Sequence, residues 1–201
     1  MAPRPGLTPD KVVDGAVSVV ERGGLDALTL GAVAAEVGVR TPSLYNHVGG
    51  LEDVRRRVTV QAIDALGTAL QRATVGRAGD AALRAMSTAY RDFALAHPGL
   101  YAATVPSSEV DDDAIRDAGR RVVGTVVDVL RGYDLDGDDA IHAARSIRAA
   151  VHGFLALELS GGFGLDVSTE DSFAWLVGAL ADGVASRSRV TVSSAPRPSP
   201  S

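Results

Sequence analysis

The twenty residues 29–48 leave this chain few choices of architecture. Val33, Ala34 and Val37 recur at helical spacing, Ala34 is small enough for a second helix to cross it closely, and Gly38 stands where a helix commonly ends on a left-handed residue. A second helix is predicted to start at once, over 41–48, with the Thr41 hydroxyl as its cap and Pro42 at its first position, where a missing N–H costs nothing. So tight a corner between two short helices is a helix-turn-helix, which serves to lay the second helix in the major groove of DNA.

Helical periodicity continues along the chain and strand alternation does not. Thr8, Pro9 and Asp10 open a first helix with Val12, Val13, Ala16, Val19 and Val20 on one stripe, stopped by Gly23 and Gly24. Gly49 and Gly50 break the second reader helix, and a fourth helix follows over about 51–72 with Val54, Val58, Ile63, Leu66 and Leu70 inward. A fifth covers about 80–96 and is closed by His97-Pro98-Gly99. A short sixth is predicted over 100–105, ending at Pro106, and the acidic stretch 109–113 opens a seventh reaching about Arg131.

The last two helices are richer in small residues. Asp136-Gly137-Asp138-Asp139 caps an eighth, to about Leu159, that carries Ala140, Ala143, Ala144, Ala149, Ala150, Gly153 and Ala156. Ser168-Thr169-Glu170-Asp171 caps a ninth with Phe173, Leu176, Val177, Leu180 and Val184 on one stripe. Small residues let helix axes approach closely, so this pair is predicted to form a symmetric four-helix dimer interface; the other reading makes both internal core helices. The predicted fold is all-α, about nine helices. It comprises an N-terminal helix-turn-helix DNA-binding domain over 1–50, a connecting helix over 51–72, a helical effector-binding and dimerisation domain over 73–188, and a Ser- and Pro-rich disordered tail over 189–201.

Charge agrees with a local rather than a general affinity for nucleic acid. The net charge is −5, yet residues 1–60 hold seven Lys/Arg against seven Asp/Glu, and the remaining thirteen against eighteen supply the whole deficit. Arg40 and the run Arg55, Arg56, Arg57 bracket the second reader helix; that run either grips phosphates or forms a solvated face. Cysteine is absent, which removes disulfides, thiolate metal sites and a cysteine nucleophile and suits a reducing cytoplasm. The N-terminus lacks the apolar core of a signal peptide, and no apolar run approaches the roughly 18 residues that span a bilayer, so no membrane partner is expected. No phosphate loop, nucleophile elbow or dinucleotide fingerprint precedes a strand, so no enzyme, catalytic residue, metal or cofactor is expected.

The run from Leu28-Thr29 through Ala34, Gly38-Val39 and Leu44-Tyr45-Asn46-His47-Val48 resembles the reader of TetR-family transcriptional regulators. Ala96-His97-Pro98-Gly99-Leu100-Tyr101, Val151-His152-Gly153-Phe154 and Gly161-Gly162-Phe163-Gly164 resemble the subclass with a Trp-His-Gly type C-terminal domain, with Val151 where Trp often stands. The resemblance implies an all-helical homodimer on a palindromic double-stranded operator, usually a repressor released by a small-molecule effector; a regulator without a ligand, or controlled by a protein partner, is the alternative. In such a reader Arg40, Thr41, Pro42, Ser43 and Asn46 probe base edges, while Tyr45 and His47 match positions that touch phosphate. Arg40 suits guanine and Asn46 adenine, whereas Thr29, Thr41 and Ser43 suit backbone positioning, with helix capping as the plainer reading of both threonines. Two departures reduce the expected grip: Leu51 replaces a common phosphate-binding lysine, and Leu30-Gly31 follow Thr29 where a basic or polar residue is frequent. Backbone N–H groups, Arg4 in the N-terminal arm or the 55–57 arginines are the expected substitutes.

An effector cavity, if present, is expected among Met86, Tyr90, Phe93, Tyr101, His152, Phe154 and Trp175, as aromatic walls with a few polar groups suit an organic ligand; ordinary core packing is the plainer reading of each. Glu158, one turn beyond Phe154, is expected to face that cavity or the dimer seam.

Overall fold

A computed structural model describes residues 6–105 and 112–193, with side chains as far as Ser188. Among them the regular structure is helical throughout: α1 (Pro9–Gly23), a 3-10 turn (Leu25–Ala27), α2 (Leu30–Glu36), α3 (Thr41–Leu44), α4 (Leu51–Thr74), α5 (Gly79–Ala96), α6 (Pro98–Ala103), α7 (Asp113–Arg131), α8 (Gly137–Leu159) and α9 (Thr169–Ser193). The all-α expectation holds. Arg4, Pro106, the start of the acidic stretch at Glu109 and the end of the tail at 194–201 lie outside the described residues. α9 continues to Ser193, past the start at 189 expected for the tail.

Three of the predicted starts are made by side-chain oxygens that satisfy otherwise orphaned N–H groups, whereas Asp136, expected to cap α8, stands at its cap position without a side-chain bond. Thr8 accepts from the Lys11 N–H at 3.3 Å, Thr29 from Ala32 at 3.1 Å and Ser168 from Asp171 at 3.1 Å. Asp112 caps α7, accepting from Ala114 and Ile115 at 2.9 and 3.1 Å.

Packing divides the chain into Met1–Thr68 with Phe93–Val122, and Ala69–Asp92 with Val123–Ser201. This differs from the division expected at residues 50 and 73. α6 and the first part of α7 belong with the reader, for reasons that only folding brings together. In the first unit Val12, Ala16 and Val20 of α1 are wholly buried with Val33 of α2, Leu44 of α3, and Val54 and Val58 of α4. Gly15 lets α2 press on α1, since a Cβ there would sit 2.4 Å from Val37 Cγ1. Gly99 is tighter still: a Cβ would meet the Val20 carbonyl oxygen at 2.2 Å, so α6 crosses the end of α1 backbone to backbone. Beside it His97 Nδ1 lies 2.9 Å from Glu21 Oε1. Ile115 and Ala118 of α7 form a core with Ile63 of α4.

The second unit buries Leu83 and Met86 of α5, Leu130 of α7, Ile147, Val151 and Leu155 of α8, and Phe173, Val177 and Val184 of α9. One bidentate ion pair closes it. Arg91 Nε and a terminal guanidinium N–H donate to Glu158 at 2.9 and 2.6 Å, both side chains being largely buried, while the guanidinium stands 5.5 Å from the Phe173 ring centre. Phe154 packs on Phe163 and Phe173, at 4.8 and 5.2 Å between ring centres.

Candidate DNA-reading surface

The turn between α2 and α3 is fixed by backbone alone. Gly38 has φ +71°, its N–H donates to the Ala35 carbonyl at 3.2 Å, and the Val39 N–H reaches back to Ala34 at 2.9 Å. That pair of bonds consumes the carbonyls orphaned at the end of α2 and aims the chain into α3. Arg40, in extended conformation, occupies the cap position without a side-chain bond; Thr41 is the first helical residue and Pro42 the second. The expected Thr41 cap is therefore corrected, and Thr29 is the threonine that caps. α3 is also shorter than the predicted 41–48. It closes at Leu44 and passes through a turn at 45–47, where the His47 N–H donates to the Leu44 carbonyl at 2.8 Å in a tightened i to i+3 bond. Gly50, at φ +117°, then redirects the chain into α4.

Two apolar anchors orient this short element: Leu44 is fully buried and Val48 nearly so. The opposite face carries Arg40, Pro42, Tyr45 and Asn46 exposed, with Thr41, Ser43 and His47 half-buried at its edges. Thr29 is exposed at the start of α2. Seven of the eight predicted DNA-contact residues thus lie within the consecutive residues 40–47, and among the described residues the Arg40 side chain makes no hydrogen bond or ion pair, its carbonyl accepting the Ser43 N–H at 2.9 Å.

The neighbouring arginines are differently placed. Arg55 donates to Glu52 at 2.9 Å, Arg56 to Asp53 at 2.8 Å, and Arg57 to both Asp53 oxygens at 3.0 and 3.1 Å. Asp53 also accepts the Gly49 N–H at 3.0 Å, tying the end of the reader to α4. The Arg57 guanidinium above all, with that N–H and Arg56, holds the Asp53 carboxyl well below the usual carboxylate range. The 55–57 run thus forms ion pairs along α4 while its side chains stay partly exposed, at 46%, 37% and 35% for Arg55, Arg56 and Arg57, as a solvated, salt-bridged face does. Sequence reasoning passed over Asp53, though a carboxylate four residues after Gly49 at a helix start is a recognisable capping signal.

The seven residues expected around an effector fall on both units. Phe93 and Tyr101 are buried in the first, and Phe93 lies 5.3 Å from the His97 ring. Met86 is buried in the second, where Tyr90, His152 and Phe154 are half-buried. Trp175 is 77% exposed, a correction to its expected place on an inner wall. It follows the buried Phe173 by two residues, about 200° round the helix, and so must point outward. Glu158 faces Arg91 rather than either expected destination, and its carboxyl is held down chiefly by that guanidinium, with Thr169 assisting. The second unit does hold a groove of about 680 Å³ between α8 and α9, but none of the seven lines it. Among the described residues no cluster of metal-ligating side chains occurs, and no helix is long and apolar enough to cross a membrane.

The chain has counterparts elsewhere. Residues 83–180 match the family model described as Tetracyclin repressor-like, C-terminal domain. The HTH-type transcriptional regulator Rv0681 of Mycobacterium tuberculosis is 41% identical over 182 residues, which cover 90% of this chain and 83% of that one. The HTH-type transcriptional regulator YobS of Bacillus subtilis is 31% identical over 186 residues, or 92% and 96% of the two chains. Among solved structures, that of the regulator SCO7222, a TetR from Streptomyces coelicolor, superposes with a TM-score of 0.70 at 16% identity, covering 90% and 99%.

Proposed function

Because this chain belongs to the TetR family of DNA-binding transcriptional regulators, we propose that it is a repressor whose face around Arg40 reads operator DNA and whose second unit houses release by a small molecule. The observation that carries the reading is the exposed Arg40, whose side chain has no partner among the described residues, beside exposed Asn46 and held on buried Leu44 and Val48. A guanidinium with two parallel N–H groups suits the O6 and N7 acceptors of guanine, and the Asn46 amide suits N7 and N6 of adenine. Thr41, Pro42 and Ser43 approach base edges or sugar, Tyr45 and His47 face phosphate, and Thr29 presents its helix start to the backbone. The protein acts in the cytoplasm as a homodimer paired through α8 and α9, each reader in one of two successive major grooves about 34 Å apart on a palindrome. An organic effector bound among the aromatic residues of α5, α8 and α9 shifts the spacing of the readers through α4, and repression ends.

Competition gel shifts test the base-reading claim. Arg40→Ala is expected to weaken operator binding about tenfold or more and to relax preference at one base position, as loss of a bidentate base contact does. Unchanged preference at every position removes Arg40 from the reading set.

A further inference from the structure

Resting on the homodimer reading above, we propose that Trp175 of each copy seats in the α8–α9 groove of the other, with the twofold axis passing beside Ala179. Trp175 is the chain's one tryptophan, and it stands in water on the outer face of α9. An indole offers roughly 200 Å² of mostly apolar surface, and burying it is among the strongest single contributions to association. On the same face, at intervals of four residues, come Ala179 and Gly183, both exposed. A bulky residue is thus followed by two positions with almost no side chain. Both belong to the groove of about 680 Å³, whose apolar walls are Leu135, Ile147, Leu180 and Val184.

A helix that pairs antiparallel with its own copy brings together residues equidistant from the axis. Ala179 lies four residues after Trp175 and four before Gly183, so an axis there lays each indole over the partner subunit's Gly183, inside the groove. Charge selects the same centre. Asp171 precedes Ala179 by eight residues and Arg187 follows it by eight, both exposed, so each acidic end of α9 meets a basic end about 12 Å from the axis. Moving the axis one turn either way sets Asp171 or Arg187 against Ala179 and takes the indole off Gly183. Knob, hole and charge therefore agree on a single register with a second copy of this chain as occupant.

The absence of cysteine makes the register measurable. In the full-length protein Ala179→Cys is expected to oxidise to a covalent dimer under mild conditions, since a disulfide needs Cα atoms within about 7 Å, while Ala174→Cys is not. Emission from Trp175 is expected to be blue-shifted and shielded from iodide in the dimer, turning red on dilution as light scattering reports dissociation. Trp175→Ala is expected to weaken dimerisation roughly 30-fold with unchanged helix content. A dimer whose Trp175 emits as an indole in water, or whose Ala179→Cys form does not cross-link, overturns this register and leaves the homodimer standing. Binding of an apolar dye in the groove of an intact dimer overturns it likewise. A strict monomer at every concentration overturns the homodimer reading itself.

Discussion

The Arg40 side chain differs from the other arginines of its unit in making no ion pair or hydrogen bond among the described residues. Arg55, Arg56 and Arg57 are each held by Glu52 or Asp53, and Arg22 is paired with Glu36, which leaves the reader's exposed guanidinium without a competing carboxylate among the described residues. The opposite economy governs the second unit. Glu158 and Arg91 satisfy one another in a largely buried setting, and removing one partner leaves the other's charge uncompensated. Arg91→Ala is expected to lower the unfolding free energy by about 3 kcal/mol in urea titrations, and the double variant Arg91→Met with Glu158→Met to recover most of it. The sign of the pH dependence follows from Glu158, whose carboxyl is depressed in the folded state by Arg91. The pair's contribution is complete above the ordinary carboxylate range and fades as pH falls through it, so Glu158→Gln should flatten the acid side of the stability profile below about pH 5. Equal stability of Arg91→Ala and the parent protein would mean that the pair holds nothing.

Among the elements, α6 makes the closest demand. Its Gly99 lies against the Val20 carbonyl of α1, and the contacting atoms are backbone, which cannot rotate away. Gly99→Ala is expected to cost about 2 kcal/mol or more in thermal or urea unfolding, and to weaken DNA binding if α1 shifts with it. A neutral Gly99→Ala would show that α6 is free to separate from α1. This element also marks where the sequence ceases to be legible. Caps at Thr8, Thr29 and Ser168, and the left-handed Gly38, are visible in sequence because partner and signal lie within a few residues. Gly99 against Val20 and Arg91 against Glu158 join positions far apart in the chain, and no local pattern announces them. Trp175 was misplaced for a different reason: large aromatics are usually inward, and only the phase of Phe173, Val177 and Ala181 reveals that this one is not. That residues 40–47 share an exposed stretch was legible, since they are contiguous; the pairing of Arg55, Arg56 and Arg57 with Glu52 and Asp53 was not, since pairing is decided by geometry.

At the scale of the whole molecule, an acidic protein that nonetheless binds a polyanion must concentrate recognition in a small face used more than once. One reader presents about a turn of helix, too little for selectivity by itself; two readers on a twofold axis double the base contacts and add a spacing requirement. The central claim is therefore that the Arg40 to His47 face works as a symmetric pair. Sequencing of genomic fragments retained by the purified protein, followed by footprinting of the enriched site, tests it most directly. The account predicts an inverted repeat with half-site centres about 10 base pairs or a multiple apart, protected on one face of the duplex, and loss of that protection in Asn46→Ala with dimerisation unchanged. Enrichment of a site without inverted symmetry, or protection that survives replacement of both Arg40 and Asn46, would contradict it.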